Sequence, residues 1–446
     1  MKTVRLILII LSICNLNKTH AQGTWSALHN GLTCDLVHAC NVYSLCADTV
    51  NNVLYAGGSF KYADSIPQRG IAKWDGTKWD TIPNVGFTDA GALIMYKGNL
   101  CVGDAYTDEI WLFNGTSWSY LPAFNGGVTC LGIYKDTLYA GGDFTKSDTT
   151  TLNYIAKWDG NKWQPLKTGI TGSFLQVNTM AVYHDTLFVG GYFSMVDTVP
   201  AYSIAKWDGA NWSAVGDNGV TFWSGTGHRS PAYVNALGVF KNNLYIGGCF
   251  DSVGGMPAST SVGMWKGNIW DTIPHPNFES LRECDSYGAL KSFDGYLFMY
   301  GGTEWVSKWD GISVTAVDSA PNNQISSFAV WNGSLYVGGI FDTVGKTILA
   351  NGIARWTPDS ISTGGKTITI NCDRVSVYPN PTSGETTVTS SRDIQGIKVT
   401  DLLGQLIYEA QPKQLKFTLD LKETGMYFVT VTSGDVIETK KVVVVR

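Results

Sequence analysis

A short phrase returns seven times along this chain: a Leu-aromatic-x-Gly-Gly stretch, a gap, then Ile-Ala-Lys-Trp-Asp-Gly or a close variant, then a second Trp. The clearest copies are Leu54–Phe60 with Ile71–Trp79, Leu138–Phe144 with Ile155–Trp163, and Leu187–Phe193 with Ile204–Trp212. Diverged copies run Leu100–Gly103 with Ile110–Trp118, Leu244–Phe250 with Val262–Trp270, Leu297–Gly302 with Val306–Val314, and Leu335–Phe341 with Ile353–Trp356. Self-similarity of this length marks a repeat architecture, in which each copy buries its apolar faces only against its neighbours.

Each unit reads as four strands. The first is a short apolar stretch such as Val128–Tyr134 or Val177–Tyr183, closed by a polar turn such as Lys135-Asp136 or His184-Asp185. The second carries the Gly pair. The third ends in Trp, and an Asp-Gly or Asn-Gly turn with the positive φ of a tight hairpin leads to the fourth. With 50 Gly, 12% aromatic and only 15% charged residues, the composition is one of strands and turns. Four strands in about 48 residues, repeated seven times over residues 22–357, predict a β-propeller. The seventh copy stops at Trp356 without its fourth strand, and Trp25–Leu28 looks like Trp79–Ile82 or Trp212–Val215. The expected fold is therefore all-β: a seven-bladed propeller closed by an N-terminal strand, which protects the sheet edges, followed by a small Ig-like β-sandwich. The recurrent Trp residues are expected to fill the space between blades.

The Gly-Gly doublet with its later Trp resembles kelch repeats. The fuller phrase is similar to the propeller repeats of fungal cortical polarity markers and of many secreted bacterial proteins. That resemblance implies a fold and leaves function open.

The two ends carry addressing signals. Residues 1–21 read as a signal peptide, with Lys2 and Arg5, an apolar Leu6–Ile13 and a Thr19-His20-Ala21 cleavage site. The apolar run is far short of the roughly 20 residues of a spanning helix, so no transmembrane segment is expected. A Ser/Thr/Gly-rich linker occupies 358–372, and a second β module follows at 373–446. Its blocks Val377–Gly384, Ile397–Gln405, Leu419–Val429 and Lys440–Val444 closely resemble the type A sorting domain of the type IX secretion system of Bacteroidetes. The residues carrying the resemblance are Tyr378, Pro379, Asn380, Pro381, Gly384, Gly404, Gly425, Tyr427, Lys440 and Lys441. It implies recognition by the type IX translocon, removal by its sorting-domain peptidase, and a product secreted or attached at the cell surface.

The net charge is −5, and −8 without Lys2, Arg5 and Lys18. The last 81 residues are nearly balanced, so the acidity lies on the propeller, which argues against nucleic acid as a partner. An exported chain can oxidise its cysteines. Cys34, Cys40 and Cys46 are close enough to pair locally, and Cys101–Cys130 and Cys249–Cys284 would each link neighbouring blades.

Binding is expected on the face formed by the second-to-third-strand and blade-to-blade connections, which vary along the sequence while the other turns are uniform. Two blade-to-blade connections flanking the fifth unit stand out: Gly216–Tyr233 with Trp223, His228 and Arg229, and His275–Tyr287 with Glu279, Arg282, Glu283 and Asp285. Aromatic, basic and acidic side chains together suit protein or glycan recognition. No catalytic set, metal site or cofactor motif is assigned. A polysaccharide-active enzyme using Glu283 with Asp285 or His228 on the same face is the alternative.

Overall fold

The computed structural model describes residues 23–34, 40–83, 89–104, 108–173, 175–223, 229–258, 262–273, 288–301, 306–345, 347–359, 362–363, 366–367, 375–378, 382–401, 405–433 and 436–445. The expected signal segment, 1–21, lies outside them. All described regular structure is β-strand. The chain divides into two compact units at Pro358/Asp359.

The first unit contains seven four-stranded antiparallel sheets built on the repeat. They span 42–80, 90–121, 128–165, 176–214, 233–272, 289–316, and 325–358 joined by 23–27; we number them one to seven. In six of the seven sheets the turn between first and second strands holds both central residues at positive φ, as at Lys135 (48°) and Asp136 (57°) or Asn332 (45°) and Gly333 (70°), the geometry that matches strand twist; sheet one has the longer link Thr49–Asn52. In sheets one, two, three, four and six the turn from third to fourth strand is led by an Asp or Asn (Asp75, Asn114, Asp159, Asp208, Asp310), and in sheet five by Lys266. Asp159 Oδ1 accepts from the backbone N–H groups of Asn161 and Lys162 at 2.8 Å each. These N–H groups and the Gln164 amide hold the Asp159 carboxyl below its ordinary range.

The third and fourth strands meet in one register throughout: Trp74 faces Trp79, Phe113 faces Trp118, Trp158 faces Trp163, Trp207 faces Trp212, Trp265 faces Trp270 and Trp309 faces Val314. In sheet seven Trp356 faces Trp25, contributed from the other end of the unit, and Gly23–Ala27 pairs along Ile353–Pro358. The strand beside Ile353–Trp356 is the one the sequence puts there.

First strands of successive sheets lie side by side, and that of sheet seven lies against that of sheet one. The Gly pair makes this possible, each member for a different reason. In sheet three, a methyl on Gly141 would meet Met180 Cε at 2.7 Å and overlap Val177, both from sheet four. A methyl on Gly142 would overlap the carbonyl oxygen of Gly127 in its own sheet. The first glycine thus receives the next sheet, and the second admits the backbone entering its own. At the junction of sheets seven and one, Gly338 receives Val42 in the same way.

The Trp residues fill the gaps between sheets, and the fourth-strand indole does more. Its Nε1–H donates to a carbonyl just past the fourth strand of the preceding sheet: Trp118 to Pro83 (2.7 Å), Trp163 to Pro122 (3.0 Å), Trp212 to Leu166 (2.9 Å) and Trp270 to Val215 (3.0 Å). Around sheet seven, Trp25 donates to Asp318 (3.1 Å) and Trp79 to Leu28 (3.0 Å). Sheet six has Val314 at this place and so lacks the clasp.

Cys34 and Cys40 form a disulfide, whereas Cys46, Cys101 and Cys130 are free. The expected Cys101–Cys130 link is therefore corrected. Cys130 Sγ points forward to sheet four, 4.0 Å from the Val177 carbonyl, while Cys101 packs in the apolar core with Ile110, Val128 and Leu138. Cys249 is disulfide-bonded; its partner lies outside the described residues. Burial pushes all three free thiols from 9.0 up to about 12, which leaves a thiolate fraction of about 10⁻⁴ at pH 8. Iodoacetamide at pH 8 should therefore leave all three unlabelled until the fold is opened with denaturant, as read by peptide mass mapping. Because the folded thiols keep their protons above the unfolded pKa, the stability they confer is complete below pH 9 and is lost as pH rises towards 12.

In the second unit, Ser376–Tyr378, Glu385–Ile394 and Gln414–Asp420 form one antiparallel sheet. Leu406–Ala410, Gly396–Thr400, Gly425–Ser433 and Val436–Val444 form another. Alternate residues of both, including Val388, Leu419, Ile397, Val429 and Val442, share a single core.

Candidate ligand-binding face

The first strand of each sheet enters from the face chosen by the sequence argument, and the structure places a recurring irregularity there. Six of the seven first strands carry a bulge at their start, where the register skips one residue: Tyr43, Gly91, Thr129, Asn178, Asn235 and Ser326. A bulge re-aims its side chain and bends the strand. Five of the six bear a polar group, and four of these reach across to the next sheet or its approach. Tyr43 OH donates to Asp89 Oδ1 (3.4 Å), Asn178 Nδ2 to Asn235 Oδ1 (2.9 Å), and Ser326 Oγ to Asn41 Oδ1 (3.3 Å). Thr129 Oγ1 donates to the Val177 carbonyl. Polar side chains thus stitch the seams between sheets at one end of the row of first strands.

The connections on this face are more regular than the sequence reading expects. In sheets one, three, four, five and seven the link from second to third strand is the same small hairpin, such as Tyr62–Ala63 with Ile66–Pro67 or Met195–Val196 with Val199–Pro200. Its tip is an Asp at positive φ (Asp64, Asp148, Asp197) or a Gly (Gly254, Gly345). Its base is the Phe after the Gly pair, and Phe60, Phe144, Phe193, Phe250 and Phe341 are all buried. The recurrent Phe and the Asp or Gly four residues on are the signal from which it was legible. The incoming connection is pinned to this hairpin, as Leu32–Thr33 is to Tyr62–Ala63 and Val220–Thr221 to Ser252–Val253.

Of the residues expected to bind ligand, Trp223 and Arg229 lie opposite one another in the strand pair Val220–Trp223 and Arg229–Pro231, in the connection between sheets four and five. His228, Glu279, Arg282, Glu283 and Asp285 lie outside the described residues. Two tyrosines were not foreseen. Tyr192 ends the second strand of sheet four, Tyr233 begins the first strand of sheet five, and their rings stack with centroids 4.1 Å apart. Tyr233 is 41% exposed. Among the described residues, no group of three or more His, Cys, Asp or Glu is placed to hold a metal ion.

In the second unit, Gly384 adopts φ 143°, in a turn where its N–H donates to Thr382 Oγ1 (3.1 Å) and its carbonyl accepts from Leu421 N–H (2.8 Å). Gly425 pairs with Val444, Lys441 with Phe428, and Lys440 with Val429. Tyr427 is buried and its hydroxyl donates to the Glu423 carbonyl at 3.0 Å. Tyr378 pairs with Thr387. Pro379, Asn380, Pro381 and Gly404 lie outside the described residues.

Residues 376–445 match the family described as a secretion system C-terminal sorting domain. No curated protein matches the chain. Among solved structures, a fungal alcohol oxidase of the AA5 family, in complex with copper, is 11% identical over 95% of this chain and 100% of that one, with a TM-score of 0.52. The WD40 β-propeller domain of Doa1 is 13% identical over 74% and 96%, with a TM-score of 0.44. PorZ, a surface component of the type IX secretion system of Porphyromonas gingivalis, is 14% identical over 91% and 66%, with a TM-score of 0.32. At 11% identity the likeness to the oxidase is one of fold alone. The first unit has a β-propeller-like fold, and the sorting tail marks the chain for export by the type IX system to the cell surface or the medium. No described helix is long and apolar enough to cross a membrane.

Proposed function

We propose that the chain is a type IX secretion cargo whose 22–357 region is a closed, seven-bladed, kelch-like propeller that binds protein or glycan at the surface of a Bacteroidetes-type cell without catalysing a reaction. A signal peptide at 1–21 takes it across the inner membrane. The Ig-like sandwich at 373–446 is read by the translocon and cut away by its peptidase. The observation that carries this reading is the sorting-domain match over 376–445, in a unit with a core of its own. Blade count and closure are supported by the pairing of 23–27 with 353–358 and by the contact of sheet seven with sheet one. The binding assignment is supported by the polar seams on the connection face and the exposed Tyr233.

The test is export in a host with a working type IX system. Removal of residues 373–446 should hold the protein in the periplasm, while the full chain reaches the surface or medium. Equal export of both, measured by fractionation and immunoblot, would defeat the assignment.

A further inference from the structure

Resting on the reading of the first unit as a surface binding module, we propose that the seam between sheets four and five is a subsite for a neutral saccharide. Two contacts cross this seam on the connection face. The Tyr192 and Tyr233 rings stack, and Asn178 Nδ2 donates to Asn235 Oδ1 at 2.9 Å. Tyr233 and Asn235 stand two residues apart at the start of one strand, so the ring and the amides share a locality.

The chemistry of the four side chains selects the ligand. Tyr233 offers an exposed, nearly apolar ring held in place by the ring behind it. A pyranose presents one face of C–H groups that lies flat on such a ring. The mutual bond uses one donor of Asn178 and the carbonyl of Asn235. Asn178 Oδ1 and the Asn235 Nδ2 hydrogens remain, an acceptor beside a donor, which is what a pair of neighbouring hydroxyls requires. None of the four side chains is a carboxylate or a cation, and the surrounding unit is acidic, so an uncharged sugar is favoured over an anionic one. Both asparagines sit at bulges, which aim them out of the ladder. An extended peptide would instead need a free strand edge to pair with, and the second strand bearing Tyr192 is hydrogen-bonded on both sides.

Saturation-transfer NMR on the full chain, with mannose, galactose, glucose and N-acetylglucosamine as neutral probes and sialic acid as the anionic one, tests the assignment. At least one neutral sugar should receive transfer and sialic acid none. Tyr233→Ala and Asn235→Ala should each weaken that sugar about tenfold, and Tyr233→Phe, which keeps the ring, should stay within about twofold. Thermal melts show which variants are folded; Asn235→Ala, at a half-buried bulge, serves if Tyr233→Ala is not. Silence with every neutral sugar overturns the proposal, as does a sugar whose affinity ignores both variants. Either result leaves the export reading standing, because that is decided by removal of the tail.

Discussion

Gly248→Ala is expected to cripple the first unit, and Gly247→Ala, one residue earlier, to leave it nearly unchanged. The two glycines form the doublet of sheet five and look alike in sequence. A methyl on Gly248 would overlap the Tyr233 carbonyl oxygen and lie 2.9 Å from its carbonyl carbon. Both are backbone atoms at the start of the first strand, next to the bulge at Asn235, and they cannot move without unpairing that strand. We expect a loss of about 3 kcal/mol or more. A methyl on Gly247 would meet Leu290 of sheet six at 3.6 Å, ordinary van der Waals contact. The reduced chain entropy of Ala should there balance or exceed any crowding, for a change within about 0.5 kcal/mol. The contrast narrows in sheet four, where Gly190 faces the stiff, branched Val234 with its Cβ at 3.2 Å. Thermal unfolding of the three variants should rank Gly247→Ala first, Gly190→Ala next and Gly248→Ala last. A Gly247→Ala protein as damaged as Gly248→Ala would mean that the doublet is kept for flexibility rather than for close approach.

That difference was hidden in the sequence for a physical reason. The repeat shows that a Gly pair recurs, but the atoms that decide which member must stay glycine come from residues some fifteen positions upstream and from another sheet. Features set by local chemistry were legible: the Asp-Gly and Asn-Gly hairpins, the third-strand Trp, and the fourth strand displaced to residues 23–27. Features set by register were not. The bulged position is Tyr, Gly, Thr, Asn, Asn and Ser in turn, so no residue type announces it. The same holds for Cys101 and Cys130. Their spacing allows a link, and only the side of the strand on which each sulfur lies rules it out. The indole clasps fall between. The missing Trp at Val314 is plain to read, but a rule that the fourth-strand Trp fills space does not reveal that its N–H also ties each sheet to the one before. The predicted binding loops drew on composition alone. Tyr233, at the end of one of them, carried no compositional signal beyond being aromatic.

Deletion of residues 23–28 is expected to remove both seams of sheet seven at once. Trp25 would no longer cover Trp356 or donate to Asp318, and Trp79 of sheet one would lose the Leu28 carbonyl. Ile353–Pro358 would become an exposed edge, open to pairing with other chains. The protein should then be recovered mainly as aggregate, while Trp25→Ala alone should cost about 3–5 kcal/mol, as for other buried aromatic side chains. Loss of strand is separable from loss of connectivity, because Trp356 faces Trp25 in the register in which Trp158 faces Trp163. A rearranged chain without the N-terminal copy, carrying Asp-Gly-Asn-Lys after Trp356 and then Trp-Ser-Ala-Leu, reproduces the third-to-fourth-strand hairpin of sheet three. It should stay soluble and melt within a few degrees of the parent, since the same side chains fill the same seams and the turn is one the chain already uses. If the deletion stays soluble and melts with the parent, the outer strand is dispensable and sheet seven is held by its first strand alone. If the rearranged chain aggregates like the deletion, the N-terminal route of entry, rather than the strand it supplies, is what sheet seven needs.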